Sequence, residues 1–253
     1  MMITKTKRNT IISATLFLVC LAVYASNGET IAQNDSVATT LLALNLLENH
    51  TLNFDLLRDS YFFNSLGAAY VFTESSRGHL TTVYPIGTAI VTFPIYFFAY
   101  LFLKISSVPV DIASPYFENY RLLFEKVAAT IVAAASVVLF YLSSRLKFSW
   151  RVSAVLTFTF AFCINTWIIG AQALWQHGAT NLLLLICLFC LLKANRQTTP
   201  AALRPWLLCA GFACGMLPVT RQTSLCFLWR SPLPVWQYIK SECLPLSWGQ
   251  RQL

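Results

Sequence analysis

Polar and apolar positions along this chain fall into long blocks. Apolar runs fill residues 11–25, 86–103, 122–143, 152–171, 178–192 and 205–219. Such runs predict helices able to cross a bilayer, which takes about 20 residues. The first run is short, at about 15 residues against that length. It follows Lys5, Lys7 and Arg8 and ends in Val23-Tyr24-Ala25, which fits a signal peptide or an uncleaved anchor. The anchor is the preferred reading, because the chain that follows is itself apolar enough to stay in the membrane. Beyond Ser224 the pattern dissolves. Trp229, Trp236 and Trp248 alternate with Pro232, Pro234 and Pro245, and no helical period survives. The chain therefore divides into a membrane domain, 1–224, and an atypical tail, 225–253. The tail reads as an interfacial segment or as the end of a truncated or frame-shifted coding region, the second being preferred.

Between the first two runs lies a polar stretch, 26–84. It holds Glu29, Asp35, Glu48, Asp55, Asp59 and Glu74, against only Arg58 and Arg77. No acidic residue occurs from Val127 to Ser241. A loop of this length inside a helical bundle is uncommon unless it forms a site or a lid. Within it, Asp35 or Ser36 is placed to cap a helix carrying Val37, Leu41, Leu44 and Leu47 and closing at Glu48, Asn49 and His50. That helix is too short to span and is expected to be amphipathic and to lie on the membrane surface.

Composition agrees with the pattern. The chain is 57% hydrophobic and 11% charged, with a mean hydropathy of +0.60, where soluble domains carry about 25% charge. The expected fold is all-α: a polytopic membrane helical bundle with a long first extracytoplasmic loop carrying amphipathic surface helices. The net charge of +8 does not point to nucleic acid, because Lys and Arg sit between apolar runs, where the positive-inside bias puts them. On that rule the clusters 145–151 and 193–204 share the cytoplasmic side. Runs 152–171 and 178–192 then form an out-and-back hairpin, with Gln176 and His177 on the side of the acidic loop. Run 205–219 crosses outward and delivers Arg221 there. The side count fails if 86–103 crosses fully, so that run is read as re-entrant or surface-lying, with Pro94 as its break. Cys187 and Cys190 form a CxxC, but within an apolar run they read as buried and inert.

The ordered residues Asn34-Asp35-Ser36, Gly78-His79-Leu80, Tyr84-Pro85-Ile86-Gly87, Leu123-Phe124-Glu125-Lys126 and Ala173-Leu174-Trp175-Gln176-His177-Gly178 give the chain a specific likeness. Over residues 9–224 it resembles the membrane-embedded GT-C glycosyltransferases, in the bacterial branch related to protein mannosyltransferases and the Rgt-type sugar transferases. The resemblance implies a multi-pass protein of the bacterial inner membrane. It implies transfer of a sugar from a polyprenyl-phosphate donor to a glycan, lipid or protein acceptor at the extracytoplasmic face, in contact with membrane lipid. It places the catalytic carboxylate at Asp35, with Glu29 the alternative, and the carrier near Tyr84. Some enzymes of that kind use a divalent metal, whereas His50, His79 and His177 show no ligand spacing here.

The chemistry can be argued from the residues as well. An acceptor hydroxyl needs a base within hydrogen-bond reach, which Asp35 can supply. A departing phosphate needs positive charge or hydrogen-bond donors, which Arg221, His177, Arg77 or His79 can supply. Each has a plainer reading: Asp35 as a helix cap, His177 as part of an interfacial belt beside Trp175, and Arg221 as a side chain reaching the headgroups. A non-catalytic fragment, or a transporter or flippase-like protein of envelope assembly, is the competing class. Ionisable residues buried within the spans would favour a transporter.

Overall fold

The computed structural model describes residues 5–28, 34–60 and 68–224. Glu29 and the tail 225–253 lie outside the described residues. The chain is predominantly helical: α1 (Lys5–Ser26), α2 (Val37–Asn49), α3 (Gly87–Ile105), α4 (Glu118–Arg145), α5 (Trp150–Phe162), α6 (Gln176–Ala194) and α7 (Pro200–Thr220). A departure from all-α is a small antiparallel hairpin, β1 (Phe72–Glu74) with β2 (Leu80–Thr82), in register Phe72 to Thr82. Its turn closes through Gly78, whose N–H donates to the Ser75 carbonyl at φ 78°, a left-handed conformation suited to glycine.

Local chemistry sets several boundaries. Ser114 caps the one-turn 3-10 helix Pro115–Phe117 that leads into α4, by accepting from the Tyr116 N–H. Ser149 accepts from Val152 to start α5, and Thr199 accepts from Ala202 to start α7, where Pro200 follows directly. This cap starts α7 five residues before the apolar run begins at Pro205. Ser36 stands at the cap position of α2 but makes no capping bond; its hydroxyl is turned instead toward Glu125.

Among the described residues five helices, α1, α3, α4, α6 and α7, are long and apolar enough to cross a membrane. Their contacts define two ends of the bundle. Asn27, just past α1, accepts from Lys126 near the start of α4 at 2.8 Å, while Asn9 and Ile12 near the other end of α1 share a cavity with Tyr141 and Arg145. These two helices are therefore antiparallel. Thr180 meets Thr220 at 3.2 Å where α6 starts and α7 ends, and Lys193 lies over the Trp206 ring at their opposite ends. One end thus collects Arg145, Lys147, Arg151, Lys193, Arg196 and Arg204, and the other Asp35, Glu118 and Glu125. Helix α5 is only 13 residues long, yet it runs from the basic end up to Ala161, whose carbonyl accepts from the Tyr24 hydroxyl at 2.9 Å. The apolar run at 152–171 is not one helix: it breaks at Cys163, and Thr166–Gly170 forms a π-turn.

Helix α3 behaves differently. At its start Gly87 abuts α7 so closely that a Cβ there would lie 2.3 Å from the Val219 carbonyl oxygen. Val91 packs against the cluster of Leu183, Ala213 and Leu217, the Phe102 ring meets Phe124, and Lys104 at its last turn pairs with Glu48 at 2.7 Å. Both ends of α3 therefore contact the acidic end of the bundle. Helix α2 is not one-sidedly buried, as a surface helix would be: every residue from Val37 to Asn45 is buried. It is enclosed by α3 and the start of α4, which at 28 residues is about 42 Å long and outreaches its neighbours.

Candidate functional site

The site is built on two walls at the acidic end. The first is a one-turn 3-10 helix, Asn34–Ser36, ahead of α2. Asp35 Oδ1 accepts from the Tyr70 hydroxyl at 2.5 Å and from the Tyr84 hydroxyl at 2.9 Å. Its Oδ2 has no hydrogen bond among the described residues. The hairpin delivers both phenols, since Tyr70 lies just before β1 and Tyr84 just after β2. The hydrogen bond to Asp35 is the main cause that pushes the Tyr70 phenol up to about 12; burial, then the same carboxylate, pushes Tyr84 up to about 12. Both phenols are therefore neutral donors at ordinary pH.

The hairpin is in turn held by Asp55. Its carboxylate accepts from the Leu80 N–H at 2.7 Å and pairs with His79 Nδ1 at 2.7 Å. These two contacts, the backbone one first, hold the Asp55 carboxyl below its usual range. Arg58 adds bonds to Glu74 and to the Gly78 carbonyl, both at 2.5 Å.

The second wall comes from the segment entering α6 and the residue leaving α7. Arg221 Nη1 lies 2.8 Å from His177 Nδ1. Arginine only donates, so Nδ1 accepts and the imidazole carries its proton on Nε2. The two walls enclose a cavity of about 220 Å³ lined by Asp35, Thr39, Tyr84, Trp175, His177 and Arg221, among others. A second cavity, of about 250 Å³, shares Trp175 and His177 with the first and continues past Asn165, Gly170 and Asn181 to Ser136.

Four of the residues singled out in the sequence, Asp35, Tyr84, His177 and Arg221, thus line one cavity. Arg77 and His79 do not. Arg77 is exposed in the hairpin turn, and His79 is engaged by Asp55. Among the described residues there is no group of three or more His, Cys, Asp or Glu side chains arranged to hold a metal.

Sequence reasoning missed Tyr70 and the frame behind the walls. Arg121 is 1% exposed and Glu125 1% exposed. Arg121 donates twice to Glu118, at 2.6 and 2.7 Å, once to Glu125 at 2.8 Å, and once to the Thr40 hydroxyl at 3.2 Å. Glu125 Oε1 accepts from the Leu174 N–H at 3.0 Å, and the carboxylate also bonds Ser36. One buried carboxylate therefore grips the neighbour of Asp35 and the backbone three residues before His177. Lys126 reaches Asn27 and Gln172. Arg121, Glu125 and Lys126 are thus buried ionisable groups on a helix long enough to span. The signal was present: Glu118, Arg121 and Glu125 stand at i, i+3 and i+7, the spacing at which helix side chains pair.

Compared with known proteins, the chain matches no family model, no curated protein and no solved structure.

Proposed function

We propose that this chain is a membrane glycosyltransferase of the GT-C kind, using a polyprenyl-phosphate sugar as donor. The observation that supports this reading best is the cavity that Asp35, with one carboxylate oxygen unbonded among the described residues, shares with the Arg221–His177 pair. In the proposed step Asp35 takes the proton of an acceptor hydroxyl as that oxygen bonds the anomeric carbon. The bond from that carbon to the carrier phosphate breaks, and the phosphate leaves with the electron pair. Arg221 and the Nε2–H of His177 meet the negative charge as it develops. Tyr70 and Tyr84 orient the carboxylate by occupying its other oxygen. A cavity of about 220 Å³ is smaller than the ~300–1,000 Å³ typical of drug-sized ligands, which suits a single sugar or a phosphate better than an extended glycan.

Basic residues at the opposite end put the acidic end outside the cytoplasm by the positive-inside bias. In that orientation α3 serves as a helix of the extracytoplasmic loop, and the membrane is the bacterial inner membrane.

The test is a transfer assay on the purified chain with a panel of polyprenyl-phosphate sugars and glycan, lipid and peptide acceptors. Asp35→Asn is expected to lose roughly 10²–10⁴-fold in rate; full activity in that variant removes Asp35 from the mechanism. The buried Arg121, Glu125 and Lys126 favour a second reading, a transporter or flippase-like protein, since ionisable groups within spans often mark a transport path. Lipid flux in reconstituted vesicles without sugar transfer would select it.

A further inference from the structure

At the basic end, α1, α4 and the start of α5 enclose a cavity of about 250 Å³, lined by Asn9, Ile12, Tyr141, Arg145 and Trp150. Arg145 Nη1 donates to the Phe148 carbonyl at 2.8 Å. Its Nε is shielded from solvent and has no acceptor among the described residues. A desolvated donor on a charged group is costly to leave unmatched. The described surroundings offer no counter-charge. Neither the described residues of α1 nor any residue from Val127 to Ser224 is acidic, while Lys147, Arg151, Lys193, Arg196 and Arg204 gather at the same end. The remaining lining is that of a lipid headgroup zone: an amide on Asn9, aromatic rings on Tyr141 and Trp150, and an aliphatic wall on Ile12. Such rings favour the boundary between hydrocarbon and water.

We infer that this cavity is a binding site for the phosphate headgroup of an anionic phospholipid, with the Arg145 guanidinium as its anchor. The planar guanidinium fork matches phosphate oxygens in a way a lysine ammonium does not. A basic pocket between membrane helices is suited to such headgroups. The site lies at the far end of the bundle from Asp35, and the inference does not depend on the proposed sugar transfer.

The experiment uses the full chain, purified in a neutral detergent and examined by native mass spectrometry. The probes are phosphatidylglycerol, phosphatidylcholine of the same acyl chains, and inorganic phosphate. Wild type is expected to retain phosphatidylglycerol in preference to phosphatidylcholine by about tenfold, the effect of one well-made charge-assisted contact. Arg145→Gln is expected to abolish that preference. Lys147→Gln removes the same charge from an exposed neighbour outside the cavity, and is expected to cost less than about fivefold, a diffuse surface contribution. Asn9→Trp, which fills the cavity and leaves Arg145 in place, is expected to behave like Arg145→Gln, and it answers the question if Arg145→Gln fails to fold. Equal retention of both lipids by wild type overturns the site, as does an equal effect of Lys147→Gln and Arg145→Gln. Displacement of the lipid by inorganic phosphate overturns the lipid assignment.

Discussion

Replacing Glu125 by alanine strips one carboxylate from a buried network and two anchors from the candidate site. The magnitude follows from the partners. The Leu174 N–H, now at 3.0 Å from Oε1, would be left buried without an acceptor, at about 1–3 kcal/mol. Arg121 would lose the 2.8 Å contact with Glu125 but keep both oxygens of Glu118. Its share therefore falls short of the ~3–5 kcal/mol for breaking an isolated buried pair. Together the loss comes to about 3–5 kcal/mol. Glu125→Gln keeps an oxygen for Leu174 and forfeits the charge opposite Arg121, so its expected loss is about 1–2 kcal/mol. Reversible unfolding in detergent reads the stability, and amide exchange at Leu174 reads the local bond. Exchange there should quicken in Glu125→Ala and return towards wild type in Glu125→Gln. A Glu125→Ala protein within about 1 kcal/mol of wild type would refute the network's role. So would two variants that behave alike, because the acceptor at Leu174 would then carry no weight.

Three further outcomes follow from the same geometry. The Tyr70 and Tyr84 phenols are raised to about 12. Their protonated state contributes stability in full below the ordinary value of about 10, and this is lost as pH rises from there through 12. The ultraviolet titration difference between wild type and Tyr84→Phe should place the Tyr84 transition near that upper limit, and Asp35→Asn should shift it down. The Asp55 carboxyl is held low, so its support for the hairpin is present above the ordinary carboxylate value and fades as pH falls through the depressed one. Protection of the Leu80 amide, its exchange rate relative to the intrinsic rate at each pH, should fall on acidification, and in Asp55→Asn the fall should be weaker. Gly87→Ala should destabilise the protein by about 1–3 kcal/mol, as overpacking does, in a thermal unfolding measurement.

The helical series was legible because apolar runs bounded by Arg and Lys leave few alternatives. The sorting of acidic and basic groups to opposite ends was legible for the same reason. Tyr84, His177 and Arg221 could be singled out because each sits where an apolar run meets a polar stretch, and Asp35 because it stands at the start of the helical pattern within the acidic loop. Their convergence depends on α3 starting against the end of α7, which no local pattern encodes. Arg77 and His79 were equally plausible by composition. The register of a three-residue hairpin turned them to the turn and to Asp55 and sent Tyr70 to the carboxylate instead. The break at Cys163 was hidden because nothing between Phe162 and Thr166 is a proline or glycine. The enclosure of α2 was hidden because its neighbours are distant in sequence: the Arg121 guanidinium bonds Thr40 across 81 positions.

The missing side chain at position 87 sets a dimension. Tyr84 hangs three residues ahead of that contact and Arg221 one residue beyond it, so the gap between them is gauged where bare backbone rests on bare backbone. A methyl group there acts as a wedge, and larger side chains would widen the aperture in steps, much as shims open a jaw. The width of the mouth can then be varied without altering any group that lines it.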